Sequence, residues 1–323
     1  MEPVLHQQLG PRQLESPRRR VRARWMLRGG WGRAAALLAT VVLVAACGST
    51  SPASPAPTAT PPPTPAPTPA PTAASAAAIL ADAVDATLMT GTVSLDMTMT
   101  FVGSSRIPEG TSMAGTARLS FGKPRQTAMT LDMTEIGQGV GAMIMDEPVV
   151  WVRFNGPLGI QLGADGRWIK VDAAATGRTA DALRAALSGP NDSSLLLYYL
   201  LGAGADAKLV GPEAAGNVPA TRIDATLDLD VALTRVPATV RDALVVNMAD
   251  IRRQAIPTQL ASRTWVDNAG LVRRLELDYA LSSLQGGGTM RAAVTFGDFG
   301  KPLDLGIPDD KDVIPVEQIT TGR

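Results

Sequence analysis

The chain is short of the residues that most catalysis and most covalent cross-linking need. Among 323 residues there is one histidine, His6, and one cysteine, Cys47. A single cysteine excludes an internal disulfide, a thiolate zinc cluster and a Cys-x-x-Cys redox pair. His6 lies in an N-terminal segment read below as removable. Without it the chain has no Ser-His-Asp triad, no Cys–His pair and no histidine-ligated zinc. Carboxylate-only chemistry survives this exclusion, but no catalytic arrangement stands out, so the chain is expected not to be an enzyme and to need no cofactor or metal. Aromatic residues make up only 4%, which leaves a large β-rich core with few bulky rings to fill it. Charge of one sign is also lacking, with 30 basic and 30 acidic side chains, but the balance is local. Eight arginines stand against Glu2 and Glu15 in residues 1–46, leaving 22 basic and 28 acidic side chains beyond. That mildly acidic remainder does not suit a nucleic acid.

What is present begins with an address. Residues 34–46 are a 13-residue run without charge behind Arg28 and Arg33. A bilayer core of ~30 Å needs about 20 residues to span it, so this run has the size of a signal-peptide apolar region behind a basic segment. Residues 1–46 are therefore read as a signal peptide. Starting at Met26 gives a more ordinary signal, and residues 1–25 are expected to be an over-extended start. The run ends Val44-Ala45-Ala46-Cys47. This resembles a bacterial lipobox, a branched apolar residue and two small residues before an invariant cysteine. The resemblance implies cleavage before Cys47 and a diacylglyceryl group on its thiol. Two or three palmitate-like chains on one residue anchor stably, at ~0.8 kcal/mol per buried CH₂. The expected location is the outer face of the cell membrane, as an exported, lipid-anchored protein.

Residues 47–78 read as the lipidated cysteine and a stalk. Ten prolines fall between Pro52 and Pro71 among Ala, Ser and Thr. Such a segment cannot bury a core and favours extended polyproline II.

Residues 79–323 read as one domain. Leu80, Val84 and Leu88 have helical spacing. The period then changes to 2: Val93, Leu95, Met97, Met99 and Phe101 alternate with polar residues, as do Ala117, Leu119 and Phe121, then Met129, Leu131 and Met133. A hairpin is expected around Asp146-Glu147 and a strand over 166–172. Helical patterns follow at 179–187 and 193–201, strands at 207–211 and 219–230, and a longer helix between Pro237 and Gln254. A hairpin turns at Asp267-Asn268-Ala269-Gly270, and a strand runs from Thr289 to Phe299. The Pro- and Asp-rich tail 302–315 is expected to wrap along an edge. Roughly ten strands and three or four helices make an α+β fold, a large antiparallel sheet with helices on its apolar face.

With Val44–Cys47, several stretches resemble the actinobacterial LppX/LprA/LprF/LprG lipoproteins. They are Gly91-Thr92-Val93-Ser94-Leu95-Asp96, Gly166-Arg167-Trp168-Ile169-Lys170-Val171-Asp172, Trp265 to Arg274 and Phe296 to Leu305. These mark strands and turns rather than a catalytic motif. The resemblance implies a LolA-like half-barrel, a curved sheet with helices over its concave face. It also implies a cavity there for the acyl chains of a lipid or glycolipid.

Methionine supplies the independent hint. Six of the 12 methionines, Met97, Met99, Met129, Met133, Met143 and Met145, fall in the first half of the sheet. Unbranched thioether side chains suit a surface that adapts to acyl chains, although core filling uses them equally. Leu95, Met97, Met99, Leu131 and Met133 are the cavity candidates. Other patterns point to bland roles. Asp309, Asp310 and Asp312 lack EF-hand spacing. Asp228 and Asp230 read as the polar face of a strand. Gly286-Gly287-Gly288 precedes no helix and reads as a turn rather than a phosphate loop. The alternative to a lipid carrier is a surface lipoprotein that docks a protein partner, such as an envelope transporter, through the sheet edge or the acidic tail.

Overall fold

The structure, a computed structural model, describes residues 75–164, 166–172, 195–253, 256–281 and 286–319. The signal, Cys47, residues 48–74 of the expected stalk and the helix expected over 179–187 lie outside the described residues. Residues 75–78, expected to end the stalk, instead cap and open the first helix, because Ser75 can cap it and Ala76-Ala77-Ala78 favour helix. Helix α1 spans Ala76–Met89. Its alanines lose no side-chain entropy on ordering. Ser75 caps it, its hydroxyl oxygen accepting from the Ala78 N–H at 3.2 Å. Leu80, Ala83, Val84 and Thr87 form the buried face. The chain then turns at Gly91, whose φ of +80° is costly for any residue with a Cβ.

Twelve strands follow among the described residues: β1 (Thr92–Val102), β2 (Ser112–Ser120), β3 (Gln126–Met133), β4 (Gly139–Asp146), β5 (Val149–Asn155), β6 (Trp168–Val171), β7 (Lys208–Pro212), β8 (Ala220–Asp228), β9 (Gln259–Asp267), β10 (Val272–Ala280), β11 (Thr289–Gly297) and β12 (Val313–Pro315). Between them lie α2 (Pro157–Gln161), α3 (Leu195–Tyr199), α4 (Leu229–Arg235) and α5 (Ala238–Arg253). All twelve strands form one open sheet in the order β12-β6-β5-β4-β3-β2-β1-β11-β10-β9-β8-β7. Neighbours are antiparallel, except that β12 runs parallel to β6. This is the α+β arrangement read from the sequence, a large and almost wholly antiparallel sheet with helices over one face, here called the inner face.

Two further details depart from the sequence reading. The strand expected over 219–230 stops at Asp228, whose carboxylate accepts from the Asp230 and Val231 N–H groups and caps α4. Asp228 and Asp230 therefore do not share a strand face. Asp230 instead pairs with Arg252 near the C-terminal end of α5. The alternation in Leu227-Asp228-Leu229-Asp230 mimics a strand, but a side-chain cap at Asp228 ends it. The tail, expected along an edge, first crosses the sheet and only at β12 joins the edge strand β6.

Two apolar cores cover the inner face. In the first, α1, α3, the 3₁₀ turn Leu200–Gly202, α4 and α5 pack on β8–β11 and β1. Leu80, Leu197, Leu229 and Leu244 meet Ile223, Leu227, Leu275 and Phe296 there. Each fully buried Leu or Phe contributes ~1.5–3 kcal/mol. Thr87, fully buried, ties α1 to the sheet by accepting the Val272 N–H at 3.0 Å. The second, smaller core joins Met143, Val152, Ile169 and Val171 of β4–β6 to Ile314, Val316 and Ile319 from the chain's end.

Candidate functional site

Strand alternation and the pairing register decide which side chains share the inner face. Across the middle of the sheet, Val294, Met97, Gly115, Leu131, Gly141 and Phe154 are successive partners on β11, β1, β2, β3, β4 and β5. One step along, Ala292, Met99 and Met113 are partners. One step the other way, Phe296, Leu95, Ala117, Met129, Met143, Val152 and Ile169 form a row.

The same register puts eight methionines on this face: 97, 99, 113, 129, 133, 143, 145 and 290. Two of them escaped the sequence reading. Met113 sits in Met113-Ala114-Gly115-Thr116, where small residues hide the alternation. Only its pairing with Met99 reveals its face. Met290, on β11, partners Phe101 on β1.

Among the described residues the two cores leave a gap between them. Met129 packs against both. Among the described residues, Met99, Met113, Leu131 and Met133 join neither core and stay only partly buried on an apolar face. Glycines thin the floor of this gap. A Cβ at Gly115 would lie 2.8 Å from the Thr130 carbonyl oxygen, 3.2 Å from Leu131 Cδ1 and 3.4 Å from Met97 Cε. At Gly141 it would meet Met133 Cε at 3.4 Å. The flexible ends of three side chains thus lean over two glycines.

The five sequence candidates fall in three settings. Leu95 is 1% exposed within the helix-covered core. Met97 packs at that core's margin. Met99, Leu131 and Met133 line the gap.

The polar groups nearest the helix-covered core are neutral. The buried Tyr199 hydroxyl donates to Asn247 Oδ1. Burial pushes the Tyr199 phenol up, and pushes Tyr279 up with Tyr199 adding to it. Neither is a nucleophile or base near neutral pH. The Ser262 hydroxyl donates to the Ala225 carbonyl at 2.9 Å. Among the described residues no cluster of three or more His, Cys, Asp or Glu side chains could hold a metal. Lys311 pairs with Asp309 at 3.0 Å in the acidic tail.

No family model matches the chain, and no curated protein does. Solved structures do. LprF from Mycobacterium bovis is similar over 72% of this chain and 96% of its own, at 14% identity and a TM-score of 0.40. The Mycobacterium tuberculosis lipoprotein LppX is similar over 71% and 97%, at 13% identity and a TM-score of 0.41. The LolA superfamily protein NE2245 from Nitrosomonas europaea is similar over 72% and 96%, at 9% identity and a TM-score of 0.27. Two of the three bear names from the lipoprotein group that the sequence motifs resemble. At these identities the likeness says nothing of ligand or partner.

Proposed function

We propose that the chain is an exported, lipid-anchored lipoprotein that holds acyl chains of a lipid or glycolipid on the inner face of its sheet, without catalysis. The observation that carries this reading is the partly buried, methionine-lined stretch that the two filled cores leave between them among the described residues. Apolar surface left in water costs ~25 cal/mol per Å², and a thioether surface adapts to flexible chains. The lipobox resemblance at Val44–Cys47 and the proline-rich stalk add a tether. Cys47 anchors, residues 48–74 reach, and the domain receives lipid beside the membrane. The protein-docking alternative has its best feature in the edge strand β7, where Leu209 and Val210 are 57% and 54% exposed. That edge is blunted, because Pro212 has no N–H and the ladder to β8 shifts register between Leu209 and Gly211.

Native mass spectrometry of the full chain, purified from an envelope-bearing host in mild detergent, tests the proposal. The expected result is a bound lipid mass beyond the acyl groups on Cys47. Repeated recovery of lipid-free protein would overturn it.

A further inference from the structure

The outer face of the same sheet carries an unused groove. Strand β11 ends beside β1, whereas β12 lies beside β6. Residues 298–312 must therefore cross β1–β5. Asp304, Leu305 and Gly306 line the groove together with outward-facing side chains of β1–β6, so the crossing is on the outer face. This strap is fastened at its ends. Gly300 N–H donates to the Thr92 carbonyl, the Thr92 hydroxyl donates to the Lys301 carbonyl, and β12 pairs with β6. Between these points its hydrogen bonds among the described residues are local, such as Gly306 N–H to Asp304 Oδ1. Beneath it Asp96, Thr116, Thr130, Ala142, Arg153 and Trp168 form one row by register. The short side chains at the row's centre leave about 500 Å³, within the range of small-molecule sites.

The arginines in this groove differ from those elsewhere on the outer face. Over β8–β11, Arg222 pairs with Asp224 at 2.7 Å, Arg263 with Glu276 at 2.9 Å and Arg291 with Asp278 at 2.8 Å. Arg153 has no ion pair among the described residues. Its guanidinium lies 4.6 Å from the centre of the Trp168 ring, and its buried Nε has no hydrogen-bond partner. Arg118 also lacks an ion pair at contact distance, although its charge helps hold the Asp298 carboxyl below its ordinary range. The Lys301 ammonium and the Ser94 hydroxyl hydrogen-bond that same carboxyl. Toward β1 the row ends at Asp96, and the hydroxyls of Thr116 and Thr130 lie 2.9 Å apart between the charged ends.

We propose that this groove is a second, polar binding site for a small molecule with an anionic group at one end and hydroxyls at the other, of the sugar-phosphate class. A guanidinium held over an indole is partly ordered already and offers a donor fork that matches a phosphate or carboxylate bidentately. Asp96 repels a ligand that is anionic throughout but accepts hydrogen bonds from hydroxyls, and the two threonines supply further partners. The sheet separates this site from the methionine gap, so it does not depend on the lipid reading. The same chemistry is offered by a free sugar phosphate and by an inositol-phosphate lipid headgroup.

Calorimetric titration of the full chain in neutral detergent tests this with two probes, glucose 6-phosphate for the free source and glycerophosphoinositol for the headgroup. Saturable binding of either is expected, and the preferred probe identifies the source. Arg153→Ala should weaken it at least tenfold. Arg153→Lys, which keeps the charge and loses the fork, should weaken it severalfold and keeps the test open if the alanine variant misfolds. Arg222→Ala, on a paired arginine outside the groove, should leave binding unchanged. No binding of either probe, binding indifferent to both Arg153 variants, or equal weakening by Arg222→Ala would each overturn the proposal.

Discussion

The two stretches of the inner face obey the same alternation and end differently. Over β8–β11 and β1, Leu, Ile, Val and Phe from the strands meet Leu residues from four helices, and most are fully buried. Over β2–β4 the corresponding positions hold Met113, Gly115, Met129, Leu131, Met133 and Gly141, most of them only partly buried. The first set is branched, stiff and closely packed. The second is flexible and thinned by glycine. A face required only for stability would gain by filling its middle as it fills its end. The contrast teaches that apolar periodicity identifies a face, whereas side-chain shape along that face separates a packed core from a surface able to receive a ligand.

The largest expected effect lies in the packed stretch. Leu275, fully buried, faces Val294 and Thr264 across the strands. Leu275→Ala should cost ~2–5 kcal/mol, the range for buried Leu truncations. Denaturant unfolding would measure it, and a loss below ~1 kcal/mol would mean that this stretch is not close-packed.

The buried phenols give a second test of the same packing. Their folded pKa values are raised above the ordinary value of 10.0 by burial. Their contribution to stability is therefore complete below about pH 10 and declines as pH rises above it, because the unfolded chain releases those protons first. Ultraviolet titration of the phenols should show Tyr199 and Tyr279 ionising only as the protein unfolds. Tyr199→Phe with Tyr279→Phe should flatten the alkaline fall in stability. Ordinary titration of all three tyrosines in the folded protein would contradict that burial.

A smaller effect belongs to the cap of α4. Asp228→Ala removes the acceptor for two N–H groups and should cost ~1 kcal/mol. Asp230→Ala should cost less, because its pair with Arg252 is exposed on both sides. Equal costs at the two positions would restore the strand-face reading of this pair.

These residues also mark how much the sequence could tell. β1 and β3 were legible because polar and apolar residues alternate without interruption, and the β4–β5 hairpin because two apolar runs flank the turn residues Asp146-Glu147, although their alternation is weaker. Met113 was not, since alanine and glycine carry too little hydrophobicity to mark a face. The α4 cap was obscured by an alternation that runs from strand into helix. β12 has only three residues and pairs with a strand some 145 positions earlier, a contact that no local pattern encodes. Of the candidate site, Met99, Leu131 and Met133 could be placed on one face from spacing alone. The gap they line depends on where α1, α3–α5 and residues 314–319 stop covering the sheet, which is a property of tertiary packing. Leu95 has the same spacing but is buried in the helix-covered core, and nothing local distinguishes it.

The smallest expected loss of stability is in the gap itself. Met99 faces Met113 on one side and the small Ala292 on the other. Met99→Trp should shift the thermal midpoint little while reducing lipid occupancy, because the ring enters space that acyl chains would take. Overpacking a filled core instead costs ~1–3 kcal/mol. A clear fall in midpoint with unchanged occupancy would make this position part of the core.

The most direct measurement is photo-crosslinking of the full chain with a diazirine-bearing fatty acid, followed by mass mapping of the labelled residues. Labels on Met99, Met113, Leu131 and Met133, displaced by excess unlabelled fatty acid, are the expected result. Labels confined to Leu209–Val210 or Val245–Val246, exposed apolar pairs away from the gap, or labels that excess fatty acid does not displace, would contradict acyl binding on the methionine face.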